Sequence, residues 1–389
     1  MKRCLKAAAI FSVLFLFVTG MALAQDKKTK SDRTKFGADK RIEEVKNLKV
    51  KTSTEKHRWK MVLPWSKGLL FYDMAVHFCD TVRLASGGRL DIKAFSAGEL
   101  VPAMEIFDAV SKGSFDAGHD WPGYWKGKNE AFITVASVPY GLDAELYNIW
   151  LYERGGLEEM QALYAPYNLF ALPGGQVGQE MGLNSSKRAS TMEDFKGMKV
   201  RTWGWYLDIL NELGASGVAT PGGEVYLSLQ TGVLDAAEFS SPAVNYPMGF
   251  DEVTQYIIQP GVHQPACQFA FFFNKDSYDK LGDDLKWILD TAAKETQLWS
   301  YSWINNLNAE AIRRFKEKSE IVMMDEKAIV DFAKTTQAYM EKVKARCPDC
   351  KRLLESQEAL KKDFADWRSA RAGVTPWPMD DVVKGKLHE

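Results

Sequence analysis

The chain has 389 residues, 46% of them hydrophobic, and its 50 Lys and Arg balance 51 Asp and Glu to a formal charge of −1. That length and apolar content suffice for two lobes of ordinary domain size. The balanced charge leaves no basic footprint for nucleic acid, so small molecules and proteins remain as partner classes.

At the N-terminus, Lys2, Arg3 and Lys6 precede an apolar stretch from Ala7 to Val18, and Ala22-Leu23-Ala24 forms a small-residue cleavage site. Residues 1–24 therefore read as a secretory signal peptide cleaved near Ala24, since the apolar run is shorter than the roughly 20 residues a membrane span needs. Cys4 lies ahead of that run, where no lipid anchor would sit, and losing the leader takes the formal charge to −4. Residues 25–57 carry eleven basic and six acidic side chains around six hydrophobic ones. Too little apolar surface is available there to offset ordering, so the segment reads as a basic flexible tether, with membrane-surface or partner docking as the other reading.

From Trp59 onward the pattern alternates. Trp59–Pro64 predicts a buried strand, Tyr72–Ala85 an amphipathic helix, Leu90–Phe95 a strand, Ala103–Lys112 a helix and Phe115–His119 a strand. The rhythm restarts with a strand at Lys199–Thr202, helices at Tyr206–Leu213 and Val225–Gln230, and a strand at Val233–Glu238. Gln268–Asn274 is another apolar strand, and Leu285–Lys316 holds one helical pattern without Pro or Gly, long enough to span two lobes or to serve a homodimer. Helices are expected from Glu326 on, with Trp367 and Trp377 packing them onto the body. In an oxidising compartment, Cys347-Pro348-Asp349-Cys350 favours a local disulfide over a redox centre.

Several linked motifs are specific. Ser86-Gly-Gly-Arg-Leu90, Phe95-Ser-Ala-Gly-Glu-Leu-Val-Pro102, Ala109-Val-Ser-Lys-Gly113 and Phe115-Asp-Ala-Gly118 are followed in order by three more. These are Glu193-Asp-Phe-Lys-Gly-Met-Lys-Val-Arg201, Gly223-Glu-Val-Tyr226 and Leu229-Gln-Thr-Gly-Val-Leu-Asp-Ala-Ala-Glu238. Together they resemble the solute-binding proteins of tripartite ATP-independent periplasmic (TRAP) transporters. The resemblance implies an α/β periplasmic binding protein fold of two lobes with crossing strands and a long lobe-spanning helix. Lobe I would cover 58–170, completed by about 240–280, and lobe II 171–239, completed by C-terminal helices from about 281–389. It also implies a periplasmic protein that hands a small organic acid to membrane permease subunits by lobe closure.

Arg201 ends an apolar strand, where a guanidinium could hold a carboxylate through two parallel hydrogen bonds, and the family's carboxylate-binding arginine falls on this position. Gly174-Gly-Gln-Val-Gly-Gln-Glu-Met-Gly182 is similar to the branch that binds 2-oxo acids and related monocarboxylates with a metal ion. By that resemblance Glu180, Glu238, Phe239 through its carbonyl, and Gln264 would hold Na+ or Ca2+, which favour oxygen ligands. Here Glu180 stands where the branch has Gln, and Gln264 where it has Glu. Trp121, Tyr124, Trp125, Trp203 and Trp205 would suit pocket walls, although aromatic residues near strand ends also serve packing. A sensory protein presenting its ligand to a receptor kinase is the alternative function. A secreted hydrolase built on His119, Asp120, Glu180 and Glu238 is a weaker one, because no nucleophile elbow, zinc-binding helix or phosphate loop is present.

Overall fold

The computed structural model describes residues 50–371; the expected leader, most of the basic tether and Trp377 lie outside them. All elements below belong to the unit that begins at Thr52. Strand β1 (His57–Val62) buries Trp59, Met61 and Val62 and pairs in parallel with β2 (Leu90–Phe95) from His57 opposite Leu90 to Val62 opposite Phe95. The intervening helix α1 (Leu70–Ala85) buries Phe71, Met74, Ala75, Phe78, Cys79 and Val82, the stripe its spacing predicts. Helix α2 (Ile106–Ser111) follows a short 3-10 turn, and β3 (Ala117–Asp120) joins the same sheet.

The first sheet has the order β2-β1-β3-β10-β4, with β4 at Leu169–Gly178 and β10 at Cys267–Asn274. Strand β10 is buried at every position. Consecutive strand side chains face opposite ways, and the two faces are covered separately: Phe271 stacks on Phe78 of α1 at 3.9 Å, while Phe272 meets Phe107 of α2 at 5.8 Å. A continuous apolar run is what a strand covered on both faces requires.

The second sheet has the order β11-β9-β5-β8-β6-β7. Its strands are short: β5 (Leu183–Ser185), β6 (Lys199–Arg201), β7 (Ser216–Val218), β8 (Ala236–Ala237), β9 (Tyr256–Gln259) and β11 (Glu320–Met323). The strand expected from Val233 starts only at Ala236, because Val233 is exposed and pairing with β5 and β6 begins there. Helix α3 (Ala144–Glu153) packs on the helix Gly156–Tyr164, which lies against β4 of the first sheet, whereas α4 (Gly204–Glu212) packs on β7 and α5 (Val225–Gln230) on β8 of the second.

Besides the long helix that links β10 to β11, two short connections cross between the sheets, from β4 to β5 through 179–182 and from β9 to β10 through 260–266. The expected completion of lobe I by 240–280 is thus divided, since Tyr256–Gln259 pairs with Leu183–Ser185 in the second sheet. The long helix α6 (Asp283–Lys318) has 36 residues, about 54 Å at 1.5 Å each. It packs on β4 and α1, then on the short helix Pro242–Asn245, and delivers the chain to β11. The C-terminal helices do not all complete lobe II. Helix α7 (Glu326–Arg346) packs on α4, but α8 (Pro348–Asp363) packs on α3 and on the turn at Glu130–Ile133, both on the first-lobe side. A Cys347–Cys350 disulfide joins α7 to α8, and Cys79 and Cys267 are free and buried. Trp367 does not pin the tail, for it is 57% exposed. No helix among the described residues is long and apolar enough to cross a membrane.

Candidate functional site

The two crossing segments run side by side, with the Glu180 N–H donating to the Gln264 carbonyl at 3.0 Å. A Cβ on Gly261 would stand 2.3 Å from the Glu180 carbonyl oxygen, so only glycine permits this approach. It brings the two side chains together, and Gln264 Nε2 donates to Glu180 Oε2 at 2.7 Å. Strand β6 carries Arg201 to the same place. Its parallel neighbour β8 sets Ala237 opposite Arg201, which puts Glu238 and Phe239 just past the strand end.

Glu180, Arg201, Trp203, Glu238, Phe239, Gln264 and Tyr124 line one cavity, together with Trp65, Phe71, Trp121, Cys267 and Phe269. Its space is about 20 Å³, room for one water-sized body. Trp65, Tyr124 and Phe239 separate it from a wider vestibule of about 400 Å³ that also meets Lys67, Gly222 and Tyr226. The walls are therefore already drawn together.

Arg201 is 2% exposed. Its Nε donates to the Thr220 carbonyl at 3.1 Å, and Nη1 donates to the Glu238 carbonyl at 2.5 Å and to Glu238 Oε2 at 3.3 Å. The guanidinium also lies over the Phe239 ring at 5.0 Å. Among the described residues Nη2 has no hydrogen-bond partner, so two sides of the fork fix the group and the remaining nitrogen is left to a guest. Since Nη1 already donates both its hydrogens to Glu238, the guest is offered the two N–H groups of Nη2, and a parallel pair from Nη1 and Nη2 would need Glu238 Oε2 to give way.

Burial raises the Glu180 carboxyl to about 8, against the opposing pull of Cys267, Ser240, Arg201 and Gln264. Glu238 is raised as well, chiefly by burial, with Arg201 and His263 pulling it down. His263 stacks on Tyr206 at 4.7 Å, and burial lowers it to about 4. Ligand atoms of Glu180, Glu238 and His263 lie within 4.8 Å of one another. The Gln264 Oε1 atom is buried with no hydrogen-bond partner, and among the described residues no donor reaches the Phe239 carbonyl. Two dry carboxyls and unpaired oxygens in one small space suit a hard cation.

Other expected residues lie elsewhere. Trp125 does not line the cavity: it packs on Phe107 at 5.0 Å and donates Nε1 to Asp120 Oδ2 at 2.6 Å. Trp205 lines a smaller adjoining cavity instead and donates Nε1 to Glu130 Oε1 at 2.9 Å. His119 and Asp120 are not an acid–base pair. Trp65 Nε1 donates to His119 Nδ1 at 3.0 Å, His119 Nε2 bonds the Gly174 carbonyl at 2.8 Å, and burial lowers the ring to about 4. Trp65, Phe71, Phe269 and His263 escaped the sequence reading, for each looks like an ordinary core or loop residue until the fold gathers them.

Residues 62–346 match the model of the DctP family, described as bacterial extracellular solute-binding protein, family 7. A monocarboxylate 2-oxoacid-binding periplasmic protein of Nostoc sp. is 31% identical over 311 residues, 80% of this chain and 85% of that one. A TRAP solute-binding protein of Bordetella bronchiseptica, with copurified calcium and picolinate in its active site, superposes with a TM-score of 0.81 at 26% identity, covering 86% of this chain and 99% of that one. The corresponding protein of Pseudoalteromonas atlantica, with bound sodium and pyruvate, gives a TM-score of 0.78 at 29% identity over 81% and 96%.

Proposed function

This chain belongs to the DctP family of bacterial extracellular solute-binding proteins, and from that premise we propose that it captures a small 2-oxo or 2-hydroxy monocarboxylate together with Na+ or Ca2+. One observation carries the reading: Arg201 Nη2 is unengaged at a closed cavity that already holds two buried carboxyls. The guanidinium would take the ligand carboxylate, and Glu180, Glu238, Gln264 Oε1 and the Phe239 carbonyl would hold the cation. Bound there, the ion would supply the positive charge that lets an anionic ligand share a dry site with Glu180 and Glu238. Tyr124, Trp121 and Trp203 shut water out from one side.

The cleft residues come from both sheets and from the crossing segments, so a ligand that touches them all stabilises the closed arrangement. That closed surface would be read by TRAP permease subunits after export through the cleavage near Ala24. The exposed stripe Trp287, Leu298 and Tyr301 on α6 is where a second copy would pack.

A thermal-shift screen tests the reading. Oxo acids, hydroxy acids, dicarboxylates and sugar acids are compared with and without chelator, since a ligand bound only by the native state raises its apparent stability. The expected result is a rise confined to 2-oxo and 2-hydroxy monocarboxylates, abolished by chelator if the ion is Ca2+ and by sodium-free buffer if it is Na+. A rise with sugar acids or dicarboxylates alone would refute the ligand class.

A further inference from the structure

A second, smaller cavity of about 10 Å³ adjoins the first and shares Trp121, Trp203, Glu238 and Gln264 with it. Ser137, Thr202 and His263 complete its polar walls. Four atoms of these residues are closed off from solvent without a hydrogen-bond partner: Trp121 Nε1, Ser137 Oγ, Thr202 Oγ1 and His263 Nε2. His263 Nε2 stands 3.4 Å from Glu180 Oε2 but makes no hydrogen bond to it. Buried polar groups nearly always find a partner, so several unpaired around one space call for a guest. The Trp121 indole reaches this position because Gly123 has no side chain; a Cβ there would stand 2.1 Å from the ring.

The opposite wall of the carboxylate cavity offers no comparable opening. Trp65, Phe71 and Phe269 fill it ring against ring, at 4.9 Å for Trp65 with Phe71, 4.6 Å for Phe71 with Phe269 and 5.8 Å for Trp65 with Phe269. With Trp65, Tyr124 and Phe239 drawn shut against the vestibule, a ligand held at Arg201 finds a cluster of unpaired polar partners on the Ser137 side. The small cavity has the scale of one water molecule.

From this juxtaposition we infer that the site is built for a 2-oxo acid bearing a hydroxyl on its third carbon, an inference that rests on the carboxylate reading above. The indole N–H can only donate, while the Ser137 and Thr202 hydroxyls can donate or accept. A hydroxyl satisfies both kinds of group. A methyl leaves all four atoms unpaired, an ammonium cannot accept from Trp121, and a second carboxylate would bring more negative charge beside Glu238 and Glu180.

The test is titration calorimetry of the full mature chain with Ca2+ present, using pyruvate, 2-oxobutanoate and 3-hydroxypyruvate. The last two have the same number of heavy atoms and differ only in a terminal methyl or hydroxyl. Hydroxypyruvate should bind at least about tenfold more tightly than 2-oxobutanoate, the factor that one neutral hydrogen bond of about 1.4 kcal/mol supplies. In a protein carrying Ser137→Ala and Thr202→Val, the ratio of the two affinities should shrink to about threefold or less. Equal or tighter binding of 2-oxobutanoate by the parent would overturn the inference, and so would an undiminished ratio in the double variant. If none of the three acids binds, the carboxylate reading itself fails and takes this inference with it.

Discussion

Replacing Arg201 with Lys keeps the charge and removes the geometry. Three groups around the guanidinium accept from different directions: the Thr220 carbonyl at 3.1 Å, the Glu238 carbonyl at 2.5 Å and Glu238 Oε2 at 3.3 Å, with the Phe239 ring at 5.0 Å beneath. A lysine ammonium has its donors on one atom and cannot serve both carbonyls and an incoming carboxylate. Losing one charge-assisted hydrogen bond to the ligand costs about 1.5–3 kcal/mol, which is roughly a 10- to 150-fold rise in Kd. Leaving one buried carbonyl unpaired should lower stability by about 1–3 kcal/mol. Arg201→Met removes the charge too. It strands Glu238, which is 4% exposed, and breaking such a buried pair costs about 3–5 kcal/mol of a total near 5–15. Calorimetry with pyruvate at fixed Ca2+ and urea unfolding of both variants separate the two effects. A Kd for Arg201→Lys within threefold of the parent would refute the geometric argument, and Arg201→Met as stable as Arg201→Lys would refute the electrostatic one.

Glu180→Gln and Gln264→Glu should each weaken Ca2+-dependent binding, while the double variant recovers at least about 0.5 kcal/mol beyond additivity, because the two side chains touch at 2.7 Å; strict additivity in calorimetry at fixed Ca2+ would show that they share no cation. Burial holds His119 at about 4, below the roughly 6.5 of an unfolded histidine, so the unfolded chain takes up the proton first as pH falls. Its contribution to stability is complete above pH 6.5 and drains away toward pH 4 by up to about 3 kcal/mol. His119→Gln should flatten that part of the urea-unfolding profile, and an unchanged slope between pH 7 and 5 counts against the buried neutral ring. Closure around Trp65, Trp121 and Trp203 should shift tryptophan emission on saturation with ligand; an identical spectrum would argue against both an aromatic cleft and lobe movement.

Much of the fold is legible in local pattern. The stripe of α1, the apolar run of β10 and the unbroken periodicity of α6 announce themselves because each is long enough to repeat. Strand β8 is only Ala236–Ala237, too short for any period, and its existence depends on β5 and β6 flanking it. The same holds for β9. Its side chains say that it is a strand, but only long-range pairing with β5 and β11 says in which sheet. At the site, Arg201 and Glu238 stand out as charges at the ends of apolar strands. Trp65 and Phe269 do not, since an aromatic residue beside a strand looks the same whether it packs a core or walls a cavity. Trp125 erred in the other direction: its indole N–H is taken by Asp120, a carboxyl that burial raises well above its ordinary range.

The central claim is that ligand carboxylate and cation share one site, and binding linkage tests it most directly. In sodium-free buffer, pyruvate is titrated into chelator-treated protein and again into protein saturated with Ca2+, and Ca2+ is titrated with and without pyruvate. Shared occupancy of Arg201, Glu180, Glu238 and Gln264 predicts that Ca2+ tightens pyruvate binding at least about tenfold and that pyruvate tightens Ca2+ by the same factor, as reciprocity demands. Equal pyruvate affinity in the two preparations would contradict it.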